Sequence, residues 1–160
     1  MYYKDHVKSF EPSYIDLLAE NMCKGDRDEV FATSGQNPRE ALVSSIMSSD
    51  QLICYFDDDK LLGIGGVGVE QRGEGIPWFL RTEYFNVWKQ KNKRSFLKSS
   101  RSWIEHMGEM YPAMYNYVDK RNKESITWLK HLGFQFTQTV EHYGFLRIPF
   151  IKFEKYKEYL

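Results

Sequence analysis

Between Tyr84 and Ile104 the chain carries six cations, Lys89, Lys91, Lys93, Arg94, Lys98 and Arg101, and no acid. Cations at that density either coat a solvated helix face or collect phosphate groups. They collect phosphate best beside a helix N-terminus, where unpaired N–H groups already favour anions. The run surrounds such a terminus in our reading. A small phosphorylated ligand suits it better than a nucleic-acid duplex, because the chain as a whole is neutral, with 22 Lys plus Arg against 22 Asp plus Glu.

Other chemistry-bearing patterns carry less. Gly63-Ile64-Gly65-Gly66-Val67-Gly68 has the glycine density of a phosphate loop, but no helix follows it and no Gly-Lys-Ser/Thr closes it. Glycines inside a strand instead mark a bulge or a close approach of another chain or a ligand. Asp57-Asp58-Asp59 lacks the alternating ligands, central glycine and distant glutamate of a Ca²⁺ loop and reads as a solvated turn. His6, His106, His131 and His142 are scattered without metal-ligand spacing, and no Gly-x-Ser-x-Gly elbow occurs. Cys23 and Cys54 lie far apart and read as reduced packing residues. No metal is expected.

The elements that must position these groups follow from the apolar pattern. Tyr2 to Lys8 is a short strand. Ser13 caps a first helix from Tyr14 to Met22, with Tyr14, Leu17, Leu18 and Met22 inward, and Gly25 stops it. Asn37-Pro38-Arg39-Glu40 opens a second helix to Met47, with Leu42, Ile46 and Met47 inward. Leu52–Phe56 and Leu61–Val69 form a hairpin about the Asp-rich turn. Residues 70–77 link it to a strand at Trp78–Leu80. Glu83 to Tyr111 is largely helical, and Met114–Val118 is a strand. Asn122 caps a helix over Glu124–Leu132 that Gly133 ends, and 135–140 pairs with 143–153. Phe96, Trp103, Ile104, Met107, Ile126, Trp128, Leu129, Leu132 and Phe134 are expected in the core. With 160 residues the chain reads as one domain over 1–160, of mixed α+β class. It has neither a signal-like N-terminus nor an apolar run of about 18 residues, so a cytoplasmic protein is expected, with no membrane partner.

Val118-Asp-Lys-Arg-Asn122-Lys-Glu-Ser125-Ile126-Thr-Trp128-Leu129-Lys-His-Leu132-Gly133-Phe134 resembles the closing motif of the GNAT superfamily of acyl-CoA N-acyltransferases. Trp78-Phe79, the basic helix and Asn116-Tyr117-Val118 are further similar to GNAT-like internal virion or morphogenesis proteins of short-tailed phages. The resemblance implies a central twisted, mostly antiparallel sheet, splayed between its fourth and fifth strands and flanked by helices. It implies acetyl-CoA as cofactor, its pantetheine lying in the splay like an added strand. Leu80, Lys91, Lys93, Arg94, Ser95, Asn122 and Ser125 would hold the cofactor, and Glu70 or Glu83 would be the base. Asn122 is then expected to point toward the splay.

The sequence departs from the family in two places. The glycine loop that cradles the pyrophosphate would fall in Gln90 to Phe96, which holds no glycine, so a Cβ obstructs the approach at each position. The position of the proton-donating tyrosine is Leu129. Two functions remain open. One is an acetyl-CoA-dependent N-acetyltransferase acting on a small-molecule or protein amine. The other is a GNAT-fold protein without catalysis that contacts phage structural or host proteins, in the host bacterial cytoplasm or the virion. A nucleic-acid-contacting module is a third, less favoured reading.

Overall fold

The computed structural model describes residues 6–157. The chain runs β1 (Val7–Lys8), α1 (Ser13–Asn21), α2 (Lys24–Ser34), α3 (Pro38–Met47), β2 (Ser49–Asp57), β3 (Lys60–Val69), β4 (Gly75–Arg81), α4 (Glu83–Met110), β5 (Ala113–Asp119), α5 (Lys123–His131), β6 (Gln135–Tyr143) and β7 (Ile148–Tyr156). The seven strands form one sheet in the order β1-β2-β3-β4-β5-β7-β6, and every neighbouring pair except β4–β5 is antiparallel. This is the expected mixed α+β architecture. Residues 2–5 of the expected first strand lie outside the described residues.

Local chemistry accounts for most boundaries. Asn37 accepts a hydrogen bond from the Glu40 N–H while the Glu40 carboxylate accepts from Asn37 N–H, closing the capping box that starts α3. Asp57 pairs with Lys60, and Asp58 takes φ 51° in the turn, a conformation that Asp tolerates better than branched residues. Gly133, at φ 90°, ends α5. Gly65 lies in β3 opposite Phe79, and a Cβ there would come within 2.7 Å of the Phe79 ring, so Gly65, like Gly63, leaves that ring its place.

Helices cover both faces. On one, Leu18 of α1, Met22 just after it and Leu42 of α3 pack on Cys54, Ile64 and Leu80. On the other, Trp103, Ile104 and Met107 of α4 join Leu129 and Leu132 against Met114, Val118 and Phe153. The expected core residues are buried except Trp128, which is half-buried. Both cysteines are free and buried.

Several expectations need correction. Ser13 does not cap α1. Pro12 has helical dihedrals, its carbonyl accepts from Ile15, and no side-chain cap forms. Leu17 and Met47 face outward, at 44% and 82% exposed. Gly25 does not end the helical region but sits in the first turn of α2, a helix absent from the sequence reading. The only buried residues of α2 are Asp26 and Ala32, so it carries no apolar stripe to betray it. The link between β3 and β4 is shorter than expected because β4 already begins at Gly75. The long helix does break inside the basic run, as expected: two helical segments meet there, and the second begins after Asn92. The basic run lies within α4, which begins at Glu83 and kinks at Asn92 (φ −123°, ψ 21°), where the Asn92 amide donates to the Trp88 carbonyl at 2.9 Å.

Candidate functional site

Strands β4 and β5 touch through a single parallel pair, Gly75 with Met114, and then diverge toward Arg81 and Asp119. Near the paired end the Asn116 amide donates to the Pro77 carbonyl at 2.8 Å, crossing the gap as a rung. Beyond it lies a cavity of about 100 Å³, lined among others by Phe79, Leu80, Val118, Ser125, Trp128 and Glu29.

The wide end of the splay is closed by charge. Arg81 and Asp26 are 4% and 2% exposed and meet in a bidentate pair. Nη2 donates to Oδ1 at 2.7 Å and Nε to Oδ2 at 3.1 Å. The same carboxylate accepts from the Arg81 backbone N–H at 2.8 Å, and the Arg81 carbonyl accepts from Cys23 N–H at 2.9 Å. Arg81 also donates to the Ser125 hydroxyl at 3.1 Å and approaches Glu124 at 3.8 Å. Burial works against the guanidinium charge, but the adjacent Asp26 outweighs it and holds Arg81 protonated. Both groups that the Arg81 peptide could offer to a ligand are therefore taken by α2 and the residue before it.

Glu29, one turn along α2 from Asp26, reaches the other strand. Its Oε1 accepts from the Asp119 N–H at 2.9 Å and from the Asn122 amide at 3.4 Å. Burial, then the neighbouring Asp26 carboxylate, push its carboxyl up to about 7, against the pull of those two hydrogen bonds. A carboxyl near neutrality is the property asked of a general base.

The first turns of α4 finish the closure on the other face. Phe85 and Trp88 are buried with Tyr55, Leu62 and Phe96. Phe85 meets Phe96 edge-on at 4.7 Å, and Phe96 lies 5.3 Å from the half-buried Trp128. Where the family resemblance places a cofactor loop, at 90–96, α4 kinks at Asn92 without a glycine, and Phe96 is buried against Phe85 and Trp88 of the turns before it.

The expected site residues are dispersed over this frame. Leu80 and Ser125 line the cavity. Asn122 caps α5, its Oδ1 accepting from Ser125 N–H at 3.3 Å, and its amide turns to Glu29 rather than into the cavity. Glu70 accepts from the Tyr115 hydroxyl at 2.7 Å, and Glu83 is exposed in the first turn of α4; neither lines the cavity. Lys91, Lys93 and Arg94 are exposed and Ser95 half-buried, all within α4 around its kink. Sequence reasoning missed Asp26, Glu29 and Arg81. The available signal was an arginine closing the apolar run Trp78-Phe79-Leu80, which had to find a carboxylate.

The cations gather elsewhere. Lys93, Arg94, Lys98 and Arg101 border a groove of about 600 Å³ between α4 and the end of α5, with Leu97, Ser102, Glu105 and His131. Arg101 donates to His131 Nε2 at 3.1 Å and to its carbonyl at 3.2 Å, fixing one guanidinium across the two helices. Lys89, outside the groove, pairs with Glu124 at 2.9 Å. Among the described residues no helix is long and apolar enough to cross a membrane.

Solved structures place this arrangement in a known fold. The chain is similar to smu.2055 from Streptococcus mutans UA159 (TM-score 0.70, 13% identity, 95% of this chain and 99% of that one). It is similar to an acetyltransferase of the GNAT family from Streptococcus pneumoniae (TM-score 0.61, 16% identity, 95% and 98% covered). It is also similar to the microcin C7 self-immunity acetyltransferase MccE, solved with acetyl-CoA and AMP (TM-score 0.68, 10% identity, 94% and 91% covered). The fold is the GNAT fold. No curated protein matches the chain in sequence. A family model does match: the family described as "Bacteriophage T7, probable scaffold protein Gp13" aligns with residues 56–142, more than half of the chain, including β4, α4, β5 and α5. By that match the chain belongs to the family of the bacteriophage T7 probable scaffold protein Gp13.

Proposed function

We propose that this protein uses the GNAT fold as a single, non-catalytic scaffold domain in the assembly of a phage particle. The observation that carries this is the closure of the β4–β5 splay by its own residues. The cavity there is about 100 Å³, whereas sites for small ligands run to roughly 300–1,000 Å³. An acetyl-CoA arm laid along β4 would have to displace the buried Arg81–Asp26 pair and the Asn116 rung. The α4 start offers its phosphates no glycine loop, and Leu129 stands where a proton donor is wanted. The residues present therefore do not fit acetyl-CoA, and no acyl-transfer step is derived. The family's description as a probable scaffold supports the same reading.

Isothermal titration with millimolar acetyl-CoA tests it. We expect no saturable heat. Saturable binding, with thiol release when amines are added, would overturn the proposal. In the phage that encodes the chain, inactivating the gene is expected to lower the yield of complete particles, while Glu29→Gln leaves it unchanged.

One observation favours a second reading, amine acetylation in a bacterial cytoplasm. Glu29 lines the cavity with its carboxyl pushed up to about 7, better placed as a base than Glu70 or Glu83. The same titration decides between the two.

A further inference from the structure

We propose that the groove between α4 and the end of α5 binds the sugar-phosphate backbone of duplex nucleic acid, without regard to sequence. The proposal is independent of the scaffold reading, and it takes up the nucleic-acid reading that the sequence left as the less favoured one. The small-ligand expectation placed the cations around a helix N-terminus, converging on one anion. In the structure Lys93 and Arg94 do follow the break at Asn92, and Lys98 and Arg101 carry the row on along the helix flank.

Arg94, Lys98 and Arg101 recur at the four- and three-residue spacing that keeps side chains on one side of a helix, and Lys93, beside Arg94, borders the same groove. From Lys93 to Arg101 the helix rises about 12 Å at about 1.5 Å per residue. One strand of a duplex presents a phosphate about every 3.4 Å along its axis, so about three to four phosphates pass over such a row. Lys93 and Arg94 form no hydrogen bond or ion pair among the described residues, leaving both charges for a ligand. Arg101 is held by His131, and a pre-positioned guanidinium loses less freedom on meeting a phosphate.

The groove lining also selects the class of ligand. Apart from the imidazole of His131 it holds no aromatic side chain, only Leu97 and Ser102 between the charges. Single-strand binders stack bases on aromatic platforms, which this groove lacks. Nor does it offer the pocket of convergent donors that a mononucleotide would need, since the donors lie in a line. Glu105 closes one end of the row and sets where the backbone must leave the groove.

The test is fluorescence anisotropy of a labelled 20-base-pair duplex of arbitrary sequence at about 50 mM salt, with the full chain. We expect micromolar binding, with log K falling against log salt at a slope of about −3 to −4, as four neutralised phosphates require. The double change Lys93→Glu/Arg94→Glu should weaken binding at least about tenfold, and the milder Lys93→Gln/Arg94→Gln should lower the slope by about two. Circular dichroism checks that both variants fold. The control Lys60→Glu/Arg72→Glu makes the same change in net charge at exposed positions outside the groove and should bind nearly as the wild type does. Absence of binding at 50 mM salt would overturn the proposal, as would equal losses in groove and control variants. Displacement of the duplex by micromolar acetyl-CoA would show a small-ligand site instead. Displacement by polyglutamate of equal charge would show an acidic protein surface as the partner. Either result removes the duplex proposal.

Discussion

At the wide end of the splay Arg81 is almost wholly buried, and its guanidinium meets Asp26, Ser125 and Glu124. In the groove along α4, Lys93 and Arg94 stand in solvent with no hydrogen bond or ion pair among the described residues. The contrast runs opposite to what the fold suggests. A GNAT sheet opens between β4 and β5, yet here the wide end of that opening is closed by paired charge beyond a small cavity, and unpaired charge lies on the outer flank of the next helix. Burial explains the difference. A charge taken out of water is retained only with a partner in good geometry, whereas exposed cations need none. Charge at the splay therefore serves the fold, whereas Lys93 and Arg94 in the groove are held by no partner among the described residues.

The largest effect that can break this comparison is at Arg81. Replacing it by Met leaves the Asp26 carboxylate buried without its partner, which should cost roughly 3–5 kcal/mol. The double change Arg81→Met/Asp26→Leu should recover most of that loss, because two apolar side chains can fill the site without an orphaned charge. Urea unfolding of the three proteins checks it. If Arg81→Met alone is neutral, the pair does not hold the splay closed.

Glu29 gives the next largest effect, and it appears as a pH dependence. Its folded value of about 7 lies above that of a solvated glutamate, so the folded chain holds the proton more tightly than the unfolded one. The stability this confers is fully present below the unfolded value near pH ~4.3 and declines as pH rises toward 7. Above that both states are ionised and the decline stops. The span is at most roughly 3–4 kcal/mol. Glu29→Gln, which imitates the protonated form, should flatten the wild-type curve across that window. Curves that stay parallel from pH 4 to 8 would show that Glu29 is not held as described.

The sequence is most legible where one stretch of chain contains the whole signal. The capping box at Asn37–Glu40, the hairpin about Asp58 and the run from Asn122 to Gly133 each fix an element from neighbours a few residues apart. Helix α2 escapes because its inward residue Asp26 is a charge, and its purpose appears only when Arg81, 55 positions later, comes to meet it. Glu29 and Asp119 are likewise 90 positions apart. The basic run was visible as composition, but its geometry was not. Which of the six cations flank the break at Asn92 and which follow the helix beyond it depends on where α4 begins and kinks, and Phe85, Trp88 and Phe96, on either side of the kink, are buried with Tyr55 and Leu62 of a distant hairpin.

The smallest expected effect is the one that completes the comparison. Lys93→Gln/Arg94→Gln removes two charges from the groove, and if those charges have no role in the fold, stability should change by no more than about 0.5 kcal/mol. The sign should be slightly favourable. Arg94 and Lys98 are spaced four apart on α4, and like charges at that spacing repel by about 0.2–0.5 kcal/mol in an isolated helix. The gain should shrink in high salt, where exposed charges are screened. Unfolding at low and high ionic strength measures both. A loss of several kcal/mol would place Lys93 or Arg94 in the same structural class as Arg81. A small gain that vanishes with salt would leave the groove as a row of cations that the fold tolerates, held against their own repulsion where a polyanion could reach them.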